Sequence, residues 1–97
     1  MTYYFLGIGG IGMSAIARYF NLRGHHVCGY DRTPSPLTKR LEEEGISIHY
    51  DDDPAKVPDN VEMVIFTPAV PRETKLFQHL AQKGFPMVKR SQMLGEL

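Results

Sequence analysis

The hydrophobic and polar positions of the chain form two alternating kinds of segment, short apolar runs and longer stretches with helical spacing. The first apolar run, Tyr3 to Leu6, predicts a buried strand. Helical spacing (i, i+3, i+4, i+7) follows at four apolar positions: Met13, Ile16, Ala17 and Phe20. A glycine-rich segment separates the two patterns, so the chain is predicted to begin as strand, turn and helix.

The same rhythm continues to the end of the chain. Further strands are predicted over 25–31, 46–50, 61–66 and 85–89. Ser35 followed by Pro36 predicts a helix start, and Leu37 and Leu41 share one face of that helix. A later helix is predicted from four apolar positions: Leu76, Phe77, Leu80 and Ala81. Gly24, Gly45 and Gly84 are each predicted to end a helix, 55–60 to form a polar connection, and Ser91 to cap a last helical turn.

Alternating strands and amphipathic helices predict an α/β fold with a parallel sheet covered on both faces. Right-handed crossovers then give one Rossmann-like, doubly wound domain over residues 1–97, with five strands in the order 3-2-1-4-5 and three α/β/α layers. Ligands of such sheets bind at the carboxyl ends of the strands, where the chain order reverses. The crevice is therefore expected among the segments 7–14, 31–33 and 67–71.

The glycine-rich segment is the strongest candidate for a binding site. Gly7, Gly9 and Gly12 match the pattern G-x-G-x-x-G between a predicted strand and a predicted helix, and Gly10 is a further glycine inside it. Side chains at Gly9 or Gly10 would hold a ligand away from the backbone, and a small residue at Gly12 would let the helix approach the strand. The first N–H groups of a helix bind phosphate without a lysine or arginine. The alternative is a glycine turn that only packs tightly.

Two further segments face the predicted crevice. Asp31 ends the second strand, where an acidic residue of dinucleotide-binding domains accepts the ribose hydroxyls, and Arg32 and Thr33 are placed to contact a base or sugar. The alternative interpretation of Asp31 is a turn residue or a helix cap. Thr67 follows the fourth strand, either as a ligand contact or as an ordinary strand end. From these residues the ligand is a nucleotide with a pyrophosphate, and NAD is the first expectation.

Composition excludes several classes of function. The chain of 97 residues is 42% hydrophobic and 23% charged, with eleven basic and eleven acidic residues, so neither nucleic acid nor a membrane surface is an expected partner. No apolar run reaches the length of a membrane span, and the first residues lack a signal-peptide pattern, so a cytoplasmic location is expected. The single cysteine, Cys28, lies in an apolar run and is expected in the core.

Metal and ATP sites have little support in the sequence. The histidines show no ligand spacing with one another or with Cys28: His25, His26, His49 and His79. The run Asp51 to Asp53 lacks the glycine and glutamate of a calcium-binding loop and is expected to be a solvated turn. A G-x-x-x-x-G-K-[ST] phosphate loop does not occur.

Four segments together resemble one family, the Mur ligases: GIGGIGMSAIA after the first strand, GYDRT at the end of the second, TPAVP after the fourth, and KRSQMLGEL at the end. The resemblance covers the whole chain and is strongest to the branch that adds L-alanine to UDP-N-acetylmuramate. It implies the N-terminal substrate-binding domain of a larger ligase, whose other domains hold ATP with Mg²⁺ and the incoming L-alanine. The isolated domain is then expected to be inactive. A small NAD-binding regulatory domain, or a scaffold domain with a vestigial pocket, remains the alternative.

The resemblance also implies a set of contacts with the UDP-sugar. The glycine segment would hold the diphosphate, Asp31 to Thr33 would lie near the uridine, the loop after the fourth strand would form the opposite wall, and Arg90 would lie toward the sugar. The implied site residues are Gly7, Gly9, Gly10, Ile11, Gly12, Met13, Ser14, Asp31, Arg32, Thr33, Thr67, Pro68, Ala69 and Arg90. One position departs from the family, because many relatives carry a histidine where this chain has Asp52, which leaves a base contact there in doubt.

Overall fold

The computed structural model describes the backbone of residues 1–96 and the side chains through Met93. The final residues of the segment KRSQMLGEL therefore lie outside the described side chains, and Leu97 lies outside the described backbone. The elements in chain order are β1 (Thr2–Leu6), α1 (Ile11–Leu22), β2 (His26–Tyr30), α2 (Pro36–Glu43), β3 (Ser47–His49), β4 (Val61–Phe66), α3 (Lys75–Lys83), β5 (Met87–Lys89) and α4 (Arg90–Glu96).

The five strands form one parallel sheet in the order β3-β2-β1-β4-β5, which confirms the predicted topology. Their last residues pair across the whole sheet: His49 with Tyr30, Tyr30 with Leu6, Leu6 with Phe66, and Phe66 with Lys89. The residues that follow the strands therefore leave the sheet along the same edge. This register brings Asp31, Gly7, Thr67 and Arg90, which are distant in sequence, to neighbouring positions.

Two cores lie on opposite faces of the sheet because successive side chains of a strand point to opposite sides. Phe5 faces the core under α1, α2 and α4, together with Ile16 and Leu41. Tyr4 and Leu6 face the second core, which α3 covers. The connection from β3 to β4 contains a short 3₁₀ helix, Pro54–Lys56, where the sequence indicated only a polar connection. The three predicted layers are present, with α1, α2 and α4 on one face of the sheet and α3 on the other.

The helix starts show which local predictions hold. Ser35 caps α2 as predicted, and Thr38 completes a capping box: the Ser35 side chain accepts from the Thr38 N–H, and the Thr38 hydroxyl accepts from the Ser35 N–H. Thr38 is fully buried, which the hydrophobic pattern did not indicate. The prediction for Ser91 is wrong, because α4 already begins at Arg90. The Lys89 N–H donates instead to the Gln92 side chain at 3.0 Å.

Two predicted apolar faces are narrower than expected. Leu37 is only half-buried beside the fully buried Leu41, and Ala81 of α3 is exposed. Leu76 and Leu80 carry the buried face of α3, and Gly84 ends that helix with φ of +77° as predicted. Within the described residues, no helix combines the length and the apolar character needed to cross a membrane.

Candidate functional site

A cavity of about 580 Å³ opens at the carboxyl edge of the sheet, between the loops that follow β1 and β4. The segment after β2 and the start of α4 contribute its other sides. The cavity is lined by Gly7, Gly9, Gly10, Ile11, Gly12, Met13, Asp31, Arg32, Thr67, Ala69, Val70 and Arg90. Most residues that the sequence singled out therefore meet in one place.

Three predicted residues do not line this cavity. The Ser14 side chain is buried and donates to the Ile11 carbonyl at 2.9 Å. Thr33 is exposed, and its N–H donates to the Asp31 carboxylate. Pro68 lines a separate cavity of about 340 Å³ that it shares with Lys89. Val70 lines the main cavity although the sequence reasoning did not name it as a contact, and its only signal was its place in the same loop as Ala69.

Backbone hydrogen bonds fix the loop after β1 to the neighbouring strand. The N–H groups of Gly7 and Ile8 both donate to the Tyr30 carbonyl, at 2.8 and 3.0 Å, and the Gly10 N–H donates to the Gly7 carbonyl at 3.2 Å. Gly7 has φ of +88°, and a Cβ there would lie 2.6 Å from Thr67 Cγ2. Glycine is therefore required at Gly7 by the backbone and by the packing of the two loops.

Gly9 is hydrogen-bonded to Asp31, the residue that follows β2. Its N–H donates to Asp31 Oδ2 at 2.7 Å, and a Cβ at Gly9 would lie 2.5 Å from that oxygen and 2.9 Å from Thr38 Cγ2. The second carboxylate oxygen of Asp31 accepts the Thr33 N–H at 3.1 Å. The carboxylate that was expected to face a ribose thus already accepts two backbone N–H groups.

The first turn of α1 presents the free donors of the cavity. Gly10 is the N-cap and supplies no side-chain cap, and no acidic residue lies in the first turn. The first helical bond is donated by the Ser14 N–H to the Gly10 carbonyl at 2.8 Å. Among the described residues, the N–H groups of Ile11, Gly12 and Met13 have no partner, and all three residues line the cavity. Three free donors and the positive end of a helix dipole form a site for an anion.

Two arginines border these donors. A Cβ at Gly12 would lie 2.7 Å from Arg90 Nη1 and 3.0 Å from Arg90 Cδ. The Arg90 side chain therefore lies across Gly12, a contact that the sequence did not indicate. Arg32 lines the opposite side of the cavity, and neither guanidinium forms an ion pair within the described part of the chain. Both charges are available to an anion.

A smaller cavity of about 240 Å³ adjoins the main one and shares Arg32, Ala69 and Val70 with it. Asp52 lies in its wall. The Asp52 carboxylate accepts the N–H groups of Lys75 and Leu76, each at 2.8 Å, and so caps the start of α3. Asp52 thus has a structural role. In the described residues, no group of three or more possible ligands could hold a metal ion.

His49 and Cys28, which lie away from the cavity, have structural roles. The Asp51 carbonyl can only accept, so His49 Nδ1 carries the proton in that 3.0 Å contact and His49 Nε2 accepts the Tyr4 hydroxyl at 2.6 Å. Burial lowers the pKa of His49. Burial raises the pKa of the Cys28 thiol to about 12, which leaves it a protonated core residue, as predicted.

Comparison with known proteins gives a consistent result. The family model described as "Mur ligase family, catalytic domain" matches residues 2–97. A UDP-N-acetylmuramate–L-alanine ligase of Christiangramia forsetii is 46% identical over 99 residues, which cover 96% of this chain and 22% of the relative. The solved UDP-N-acetylmuramate-alanine ligase of Thermotoga maritima superimposes with a TM-score of 0.93 at 30% identity, over 99% of this chain and 22% of that chain.

A murein peptide ligase of Psychrobacter arcticus has a TM-score of 0.88 at 26% identity, over 99% of this chain and 20% of that structure. It therefore shares the fold of this chain at a lower sequence identity than the alanine ligase of Thermotoga maritima. The chain spans about a fifth of the length of the relatives it matches.

Proposed function

Because the chain belongs to the Mur ligase family, we propose that it is the domain that binds UDP-N-acetylmuramate in a longer ATP-dependent ligase. That ligase would add L-alanine in the synthesis of the peptidoglycan precursor. The names of the similar curated proteins support this choice of substrate and amino acid. The whole of residues 1–97 forms this single domain in the proposal, and the remaining domains lie elsewhere in the longer protein.

The free donors at the start of α1 are the observation that carries the proposal. The N–H groups of Ile11, Gly12 and Met13 and the guanidinium of Arg90 converge on one cavity. A diphosphate supplies several anionic oxygens to such an arrangement, and hydrogen bonds to a charged acceptor are stronger than those to a neutral one. The substrate diphosphate is therefore proposed to bind at this helix end.

The rest of the substrate extends from the diphosphate in two directions. The uridine is proposed to lie toward Arg32 and the adjoining cavity of about 240 Å³, where the guanidinium can donate to a base carbonyl. The sugar is proposed to lie on the Arg90 side, with Thr67 and Ala69 in the opposite wall. Pro68 and Thr33 contribute by shaping their loops, since neither lines the main cavity.

The domain binds and orients its substrate in this proposal, while the chemistry takes place with groups held by other domains. ATP with Mg²⁺ would activate the muramate carboxylate for attack by the amine of L-alanine. The cavity described here is lined by arginines and by one carboxylate that already accepts two N–H groups. We therefore expect the chain alone to hydrolyse no ATP when UDP-N-acetylmuramate, L-alanine and Mg²⁺ are all present.

Calorimetric titration tests the proposed ligand. The chain should bind UDP-N-acetylmuramate, and UDP should compete with it, whereas NADH should bind much more weakly or not at all. Binding of NADH with no response to either uridine ligand would support the regulatory alternative. Failure of all three ligands to bind would favour a scaffold domain.

A further inference from the structure

We propose that Asp31 is a positioning residue: its carboxylate holds the glycine segment in the shape that presents the free N–H groups of α1 to phosphate. This inference rests on the proposed function, because it assigns a role within the same site. The role differs from that of a ribose acceptor, which the position of Asp31 at the end of β2 suggests by itself.

The contacts of Asp31 join three parts of the site. Its Oδ2 accepts the Gly9 N–H at 2.7 Å, and its Oδ1 accepts the Thr33 N–H at 3.1 Å. Its own N–H donates to the His49 carbonyl at the end of β3, at 3.2 Å. The carboxylate therefore links the loop after β1 to the loop after β2. Bonds from N–H groups to a charged acceptor are about twice as strong as neutral ones.

Packing leaves no room for a side chain at Gly9. The site of a Cβ on Gly9 is filled by Asp31 Oδ2 at 2.5 Å and by Thr38 Cγ2 at 2.9 Å. Thr38 is fully buried and fixed by its capping box with Ser35. A carboxylate oxygen and a buried methyl group thus pack together against one side of Gly9. Gly10, the N-cap of α1, follows directly, so the path of the chain into the helix is set at Gly9.

The contacts of Asp31 also determine which N–H groups of the glycine segment are available to phosphate. The Gly9 N–H is already used by Asp31 and is not free for phosphate, whereas those of Ile11 to Met13 are free among the described residues. The acid thus takes up one donor of the loop and directs the ligand to the helix end. The two possible roles of Asp31 predict different results for inorganic pyrophosphate, which has no ribose. Loss of a positioning residue should weaken its binding, whereas loss of a ribose acceptor should not.

Binding of pyrophosphate and of UDP to the wild-type chain and to Asp31→Ala tests this difference. Loss of the Asp31 carboxylate, which anchors Gly9, should lower the affinity for both ligands by the same factor, about tenfold. Removal of a nearby negative charge would by itself strengthen pyrophosphate binding, so weakening cannot come from charge alone. Asp31→Asn keeps one acceptor for the Gly9 N–H and should retain more affinity than Asp31→Ala. Asp59→Ala removes the same charge in the exposed turn before β4 and should change neither affinity.

Amide hydrogen exchange without ligand separates this inference from the proposed function. In the wild-type chain the Gly9 amide should exchange more slowly than the free amides of Ile11 and Gly12, and Asp31→Ala should remove that protection while the amides of β1 keep theirs. Rapid exchange of the Gly9 amide in the wild-type chain overturns the proposed role of Asp31, whichever ligand binds. An affinity of Asp31→Ala that is unchanged for pyrophosphate but reduced for UDP also overturns it and indicates a ribose contact. If neither ligand binds the wild-type chain, the proposed function fails and the exchange data still decide the anchor.

Discussion

Replacement of Gly10 by alanine separates ligand approach from folding more cleanly than any other change in the glycine segment. Gly10 has φ of −67° and ψ of 147°, a conformation that alanine adopts without strain. A Cβ there would lie 3.6 Å from the Gly7 carbonyl oxygen and 3.8 Å from Met13 Cγ, which are ordinary contacts. Since Gly10 lines the main cavity, the added methyl group takes space from the ligand and not from the protein.

The expected magnitudes follow from these contacts. Gly→Ala at a compatible position stabilises by about 0.4–1 kcal/mol, and alanine is a poorer N-cap than glycine by a similar amount. The two effects offset each other, so the free energy of unfolding should change by no more than about 0.5 kcal/mol. A phosphate held away from its donors loses about 1–3 kcal/mol, which weakens UDP binding by about 5- to 150-fold.

Calorimetry with UDP and urea unfolding measure the two quantities on the same sample. Gly24→Ala is the matched control, because Gly24 has φ of +86° with open space around it and ends α1 far from the cavity. That control should lose about 1–2 kcal/mol of stability and no affinity. A folded Gly10→Ala chain that binds UDP within about twofold of the wild-type affinity would refute the placement of the phosphate.

Three further predictions concern other parts of the molecule. Arg90→Gln should weaken UDP binding by about tenfold in calorimetry, because its guanidinium lies across Gly12, while Lys89→Gln in the separate cavity should have no effect. Asp52→Ala should lower the free energy of unfolding in urea by about 1–2 kcal/mol through loss of the α3 cap, and unchanged stability would contradict that role. Burial lowers the pKa of His49 in the folded state, so the unfolded chain takes up its proton first as pH falls below 6.5. Stability should therefore fall from pH 7 to pH 5, and less steeply in His49→Gln; equal slopes would contradict the burial effect.

The elements that depend on local chemistry could be predicted from the sequence. Ser35 with Pro36 indicates the start of α2, and Gly84 indicates the end of α3, because caps and left-handed turns require particular residues. The sheet order follows from alternating strands and helices and the right-handed crossover rule. From that order, the meeting of the glycine segment with Asp31 and Thr67 at one edge is a consequence of topology.

Contacts between side chains and distant backbone groups could not be predicted in this way. The bond from Gly9 to Asp31 and the Asp52 cap of α3 each join residues more than twenty positions apart, and no periodicity reports them. The buried Thr38 was missed because a polar residue on a helix normally indicates an exposed position. The contact between Gly12 and Arg90 was missed because the arginine comes from the other end of the chain.

The central claim, that the first turn of α1 holds the diphosphate of a uridine nucleotide, is tested most directly by amide NMR of the chain during titration with UDP. The largest shifts should occur at Ile11, Gly12 and Met13, whose N–H groups are free among the described residues, while amides in the last turn of α3, away from both cavities, should stay unchanged. NADH at the same concentration should produce no comparable shifts. Unmoved resonances at these three residues in the presence of excess UDP would contradict the account.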